Sequence, residues 1–235
     1  MITRESSRQQ DTGDQPETAV QGRPSRSIYK AKALWLVPCK PGVVAELLIA
    51  NHYLHAMNSA PQQCFAVYAD KTQSALVGGI VYTVGSRDSH TFLTGGLPGQ
   101  VGTLGRYYLS DECEPNSESR MLSLSLKKVS DLVPHWKAVV SYADPSYGHR
   151  GIIYQATGWR YVGVSHPSAY IIVNGKRYHP RSLFSKFHTN DLGVMRRAGL
   201  DVRREAEPAK HIYVYCLDRS WLWRMPKALP YPKGG

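Results

Sequence analysis

Residues 139–163, VVSYADPSYGHRGIIYQATGWRYVG, carry the pattern that decides the fold. Val139, Val140 and Tyr142 form a short β-rich run that ends at Asp144-Pro145, where proline cannot donate to a ladder. Ile152, Ile153 and Ala156 are the apolar residues of a helical run that stops at Thr157-Gly158, a helix-ending glycine. Tyr161, Val162 and Val164 open another strand. The corner SYADPSYGH therefore lies at the C-terminal end of a strand, where open α/β sheets hold ligands. A plainer account stands beside this one: Asp144 caps the helix, and tyrosine followed by glycine belongs to many βαβ units.

Working outward, Lys32–Val37 reads as a first strand stopped by Pro38, and Gly42–Leu54 as a helix with Val44, Leu47 and Leu48 on its apolar face. Cys64–Ala69, Ala75–Val84 and Thr103–Leu109 are strands separated by polar turns, an antiparallel meander. Asn116–Val133 is the next helix, capped by Asn116 or Ser117 and ended by Pro134. After the corner, Ala169–Val173 and Lys176–His179 flank Asn174-Gly175, a two-residue hairpin signal. Ser182–Leu200 reads as helix broken near His188–Asp191, and His211–Leu217 as the last strand. The tail RSWLWRMPKALPYPK has no regular period.

This order resembles the acyltransferases of the GNAT superfamily, whose helix A-x-x-L-Y-x-x-x-G-F is similar to G-I-I-Y-Q-A-T-G-W here. The resemblance implies an α/β (α+β) fold: a single GNAT-like acyltransferase domain over 28–235 with a mixed, splayed central sheet and C-terminal additions. Residues 1–27, almost without apolar side chains, are expected to be a disordered tail. One part departs from the pattern. GNAT proteins carry R/Q-x-x-G-x-G/A before the helix, whose N–H groups cradle the coenzyme A pyrophosphate. Here that stretch is EPNSESRMLS, without glycine. Ser117, Ser119 and Arg120 are what remains to hold an anion.

At 235 residues the chain is long enough for one good core. No apolar run approaches the ~20 residues of a membrane span, and the N-terminus has no signal-peptide character. The four cysteines are far apart with no C-x-x-C, against a zinc module or a disulfide framework, so a reduced, cytoplasmic protein is the default. The net charge of +11 is one-sided: from residue 150 onward there are 15 Lys/Arg against 5 Asp/Glu, while the first 149 residues hold 14 against 13. A basic half suggests a polyanion partner, although general basicity explains the same count. Fifteen tyrosines and five tryptophans favour nucleic acid, because rings beside cations hold unstacked bases. Arg196, Arg197, Arg219, Trp221, Trp223 and Arg224 are the expected DNA contacts. Trp159 and Tyr161 are further stacking rings, each with a core-packing alternative.

His52 and His55 stand three apart at the end of the first helix and could share one face. A second polar cluster, Asp144, Tyr147, His149 and Tyr154, faces them if that helix crosses the open end of the sheet. Imidazole, carboxylate and phenolate together suit iron better than zinc.

The runs LWLVPCK…AELLIANHYLHAM, SYADPSYGHRGIIYQATGWRYVG and FSKFHTNDLG resemble the Mom family of phage DNA-modification proteins, from about Trp35 to Trp223. That resemblance implies a GNAT-like enzyme of the host cell cytoplasm that converts adenine in double-stranded DNA to an N6-carbamoylmethyl derivative, evading restriction. It implies a functional cluster at His52, Tyr53, Asp144 and Tyr154, catalytic and linked to iron. Acetyl-CoA is the donor suggested by fold analogy alone. A homodimer is left open. Two other classes remain: a coenzyme A-dependent N-acetyltransferase acting on a protein or small amine, and a non-catalytic DNA-binding protein.

Overall fold

A computed structural model describes residues 28–166, 168–178 and 180–233. The expected tail at 1–27 lies outside them, as does His179 at the end of the expected hairpin. The first half is β1 (Trp35–Cys39), α1 (Pro41–Asn51), β2 (Pro61–Tyr68), β3 (Leu76–Val84), β4 (Val101–Leu109), α2 (Ser117–Leu132) and β5 (Ala138–Ala143). The second is α3 (Ile152–Ala156), β6 (Arg160–Val164), β7 (Ser168–Val173), β8 (Lys176–Tyr178), α4 (Pro180–Phe187), α5 (Leu192–Arg197), β9 (Val202–Glu207) and β10 (His211–Cys216).

Seven strands form the central sheet in the order β1-β2-β3-β4-β5-β10-β6. All neighbours are antiparallel except β4 and β5. β3 is apolar along almost its whole length because both of its faces are covered. On one face α1 packs Val44 and Leu48 against Cys64, Ala66 and Val81. On the other α2 buries Met121, Leu122, Leu126 and Val129, spaced at three and four residues so that they share one stripe. Burying a side chain of that size contributes roughly 1.5–3 kcal/mol, so these two helices fix the sheet between them.

β4 and β5 pair only over Val101–Thr103 and Ala138–Val140. Beyond that point the two strands part, and the sheet opens into a cleft. The expected splay is thus a matter of three paired residues followed by divergence.

Several boundaries differ from expectation for physical reasons. Pro38 does not stop β1 but pairs opposite Phe65 within it, which an edge strand tolerates because its outer N–H positions need no partner. α1 ends at Asn51, and His52 is its C-cap with extended backbone (φ −82°, ψ 135°). β9 was not expected at all. In VRREAE only Val202 and Glu207 are buried, so no apolar alternation announces a strand.

β7, β8 and β9 make a second sheet in the order β8-β7-β9. Asn174 and Gly175 turn its hairpin with φ of 49° and 76°, the double positive φ of a type I′ turn. With α4 and α5, capped by Asp191 through the N–H groups of Gly193 and Val194, this layer buries its own cluster of Ile171, Val173, Leu183, Met195 and Val202. The expected C-terminal addition is therefore an insertion between the last two strands of the central sheet.

Candidate active site

The parting of β4 and β5 leaves a cavity of about 430 Å³, lined by Leu104–Leu109, Ser141–Ala143, Gly148–Tyr154 and the end of α1. That size falls within the ~300–1,000 Å³ of small-molecule sites. His52, Tyr53 and Tyr154, expected together from the resemblance, all line it.

The break in α1 puts the first pair there. His52 is 8% exposed, and its Nδ1 accepts the N–H of Leu54 at 3.2 Å. This leaves Nε2–H as the free polar group of the ring. Burial, with Arg106, His149 and His55 nearby, lowers its pKa to about 4, so the imidazole is neutral at pH 7. His55 does not share its face: it is exposed, at φ 43°, with its ring on the Ile49 carbonyl. The Tyr53 ring stacks on His52 at 4.4 Å and meets Tyr147 at 4.3 Å and His149 at 5.1 Å. The two polar clusters face each other, as the crossing of α1 predicts. Burial and the Asp144 charge raise the Tyr53 pKa, and desolvation at the cleft mouth lowers that of His149.

Tyr154 reaches the cavity because Gly151 starts α3 at φ 75°. A Cβ there would lie 2.4 Å from the Tyr213 ring, so only glycine allows the approach. The Tyr154 ring packs on Trp159 and Tyr213 at 5.0 and 5.1 Å. Its hydroxyl accepts from Ser141 Oγ at 2.8 Å, and burial pushes its pKa up to about 12. It is a neutral phenol. Trp159 itself is 0% exposed and belongs to the core, so it is not a stacking ring.

Asp144 sits one residue past β5, 3% exposed, but is held beside the cavity rather than in its wall. Its Oδ1 accepts the Ser146 N–H at 3.0 Å and its Oδ2 lies 3.3 Å from Lys210 Nζ.

These engagements decide whether the four residues fit iron. Accepting from Leu54 at Nδ1 keeps the His52 ring proton on Nε2, Asp144 is ion-paired beside the cavity, and Tyr154 is a protonated phenol hydrogen-bonded to Ser141. Among the described residues no three His, Cys, Asp or Glu side chains are grouped to hold a metal. In this arrangement the set does not fit a metal centre.

Arg106 and Lys210 were not anticipated. Arg106 points from β4, where a register shift at Gly105 interrupts pairing with β3. Its Nε donates to Ala56 O at 2.8 Å, and no carboxylate pairs it among the described residues. A charge inside the strand GRYYL was the available signal.

The residues nominated for a pyrophosphate do not form a cradle. The Ser117 hydroxyl is buried without a partner, Ser119 Oγ donates to Asn116 O at 3.0 Å, and Arg120 Nε donates to Ala31 O at 3.1 Å. The space at this helix start is about 20 Å³, and Asp111, Glu114 and Glu118 border it. Carboxylates beside a helix N-terminus compete with an anion for the same dipole.

The expected DNA contacts fall in two places. Arg196 and Arg197 are exposed on α5 in the insertion, which is rooted at the site end of the sheet: Val164 and Ala143 both pair with His211. Arg219, Trp221, Trp223 and Arg224 lie in a 3-10 turn after Cys216, which pairs with Ala138 at the opposite end. Six residues of strand separate the ends by roughly 17 Å. There the Arg224 guanidinium sits 4.4 Å and 4.6 Å from the Trp221 and Trp223 rings. These rings cannot stack a base held in the cleft.

Strand order, the one parallel pair among the described strands of the central sheet, at β4/β5, and a cleft where that pair parts define a GNAT-like fold. The profile of the Mom protein family matches residues 34–233. The chain belongs to the Mom protein family. The methylcarbamoylase mom of Escherichia phage Mu is 31% identical over 134 residues, covering 55% of this chain and 55% of that protein. The match thus spans about half of that relative's length. Among solved structures, Arabidopsis thaliana NAA60 in complex with acetyl-CoA is similar at 10% identity and TM-score 0.47, over 78% of this chain and 99% of that one. A GNAT-family acetyltransferase from Bacillus anthracis is similar at 11% identity and TM-score 0.44, over 79% and 95%.

Proposed function

We propose that this chain is a phage DNA-modification enzyme that converts adenine in duplex DNA to N6-carbamoylmethyladenine in the host cytoplasm, protecting the phage genome from restriction. The observation that carries this reading is the convergence of His52, Tyr53 and Tyr154 in one cleft, in a chain of the Mom family.

Adenine N6 is paired inside a duplex, so the base must be extruded, at a cost of a few kcal/mol for unstacking. The insertion supplies cations for that grip beside the cleft: residues 168–207 hold eight Lys/Arg against four Asp/Glu. In the cleft, the neutral groups act as hydrogen-bond donors. Nε2–H of His52 and the Tyr154 phenol are protonated at neutral pH, suited to acceptor atoms of a flipped base. The nitrogen must lose a proton as it gains a carbon. His149, neutral, on the cavity wall and against Tyr53, is placed to take it. Arg106, half-buried on the same wall, favours a carbonyl or anionic group of the donor. If acetyl-CoA is that donor, its pyrophosphate is not gripped at the start of α2.

Mass spectrometry of nucleosides from plasmid co-expressed with the chain is the test. A heavier adenosine supports modification. Unmodified DNA with acetylated protein or amine would instead indicate a conventional N-acetyltransferase, and unmodified DNA with tight binding a non-catalytic protein.

A further inference from the structure

Three segments meet at one ammonium. Lys210 immediately precedes β10, and its Nζ lies 2.8 Å from Glu207 Oε1 at the end of β9 and 3.3 Å from Asp144 Oδ2. The two carboxylate side chains are only 8% and 5% exposed. The Ser168 hydroxyl donates to the other oxygen of Glu207, closing the far side. The main chain is locked at the same place: Ser165 N–H donates to Lys210 O at 2.8 Å, and Lys210 N–H donates to Ser165 Oγ at 3.0 Å. Both stems of the insertion and the corner at the cleft mouth therefore share a single network.

Without the cation, two buried carboxylates would face each other across the space it fills, in surroundings that magnify their repulsion. Burial works against the charge on Lys210, but the hydrogen bond to Glu207 and the attraction of Glu207 and Asp144 hold its pKa above the ordinary lysine value. Direction follows from the same contacts. Asp144 is fixed at two points, Oδ1 on the Ser146 N–H and Oδ2 on Lys210. Its carbonyl in turn accepts the N–H groups of Tyr147 and His149, both at 3.2 Å, so the orientation of Asp144 sets that of two residues packed on Tyr53.

We propose that Lys210 is a positioning residue for Asp144, holding the corner Asp144–His149 at the cleft mouth and fixing the insertion to the site through the same contact. The activity arm of the test rests on the DNA-modification reading; the exchange arm does not.

Hydrogen–deuterium exchange on the full chain compares wild type with Lys210→Met, Lys210→Arg and Glu207→Gln. In Lys210→Met, amides of the corner and of the insertion stems should exchange about tenfold faster or more, since removing one partner of a buried charge network is strongly destabilising locally. Lys210→Arg should restore wild-type exchange at both. Glu207→Gln leaves Lys210 with Asp144 as its one charged partner, so only the stems should loosen. In modification assays Lys210→Met should lose about tenfold or more in kcat, with KM for DNA rising as the insertion loosens, and Lys210→Arg should recover most of both losses. Corner exchange unchanged in Lys210→Met overturns the proposal, as does failure of arginine to rescue. Should the methionine variant not fold, Glu207→Gln decides: unchanged stems, or a corner loosened as much as the stems, also overturns it. A wild-type chain that modifies no DNA refutes the functional reading while the exchange results still judge Lys210.

Discussion

Replacing Asp144 separates its chemical role from its structural one, and the structure sets different expectations for alanine and asparagine. Alanine removes the cap on Ser146, which costs typically ~1 kcal/mol, and one of the two carboxylates on Lys210. Breaking an isolated buried pair costs ~3–5 kcal/mol, but Glu207 remains at 2.8 Å, so the ion-pair loss should be at the low end or below it. A total of about 2–4 kcal/mol follows, and at ~2–4 °C per kcal/mol for a chain of this size the Tm should fall by roughly 5–15 °C. Burial and pairing make this strand-end carboxylate structural. Asparagine keeps the volume and the cap acceptor and loses only the charge. Asp144→Asn should therefore melt within a few degrees of wild type, yet lose modification as Asp144→Ala does. Calorimetry and nucleoside mass spectrometry on both variants are the assays. An asparagine variant with full activity would refute a role for the carboxylate charge, and an alanine variant as stable as wild type would refute the buried network.

Tyr154→Phe removes one buried hydrogen bond worth about 1 kcal/mol, while the Trp159 and Tyr213 contacts stay; Tm should drop ~2–4 °C and modification should be lost, and an active variant would exclude the phenol from the chemistry. His52 binds its proton less readily folded than unfolded, about 4 against the ordinary 6.5, so its contribution to stability is complete above pH 6.5 and declines as pH falls toward 4. Urea denaturation across that window should show a steeper loss in wild type than in His52→Asn, and identical slopes would contradict it. Gly151→Ala places a methyl against the Tyr213 ring at positive φ; it should destabilise by ~1–3 kcal/mol and lower activity through Tyr154, with wild-type behaviour telling against the close approach. Reversing charge at Arg196 and Arg197 should weaken DNA binding and reduce the salt slope by about 2, while Lys127 and Lys128, exposed on α2 in the neutral half, should alter neither. Equal losses would remove any meaning from the charge asymmetry.

The meander, α2 and the corner at Asp144 were legible because apolar period, turn residues and proline all act locally. That the His52 cluster faces Tyr154 was legible as a consequence of α1 crossing the open end of the sheet, but the place of Tyr53 in it came through family resemblance, since it depends on where α1 breaks, and Asn51-His52 carries no glycine or proline to mark the break. Lys210 and Glu207 were illegible for a related reason. A buried ion pair looks in sequence like two surface charges, and only the pairing of β9 with β7 and of β10 with β5 brings them to Asp144. Trp221 and Trp223 were assigned by composition, which says nothing about which end of a strand a turn will occupy.

β10 lies between β5 and β6, although it is made after both of them and after the whole insertion. A chain growing from its N-terminus therefore displays two unpaired strand edges, on β5 and on β6, until residues 211–216 arrive. Such edges are templates for pairing with other chains, and closing them needs contacts far apart in sequence, which form slowly. The last of the described strands to be synthesised is the one that seals the sheet, brings Tyr213 against Tyr154 and delivers Lys210 to Asp144. A product truncated before His211 would hold most of the core and none of the finished corner, so its hazard to the cell is aggregation rather than misdirected chemistry.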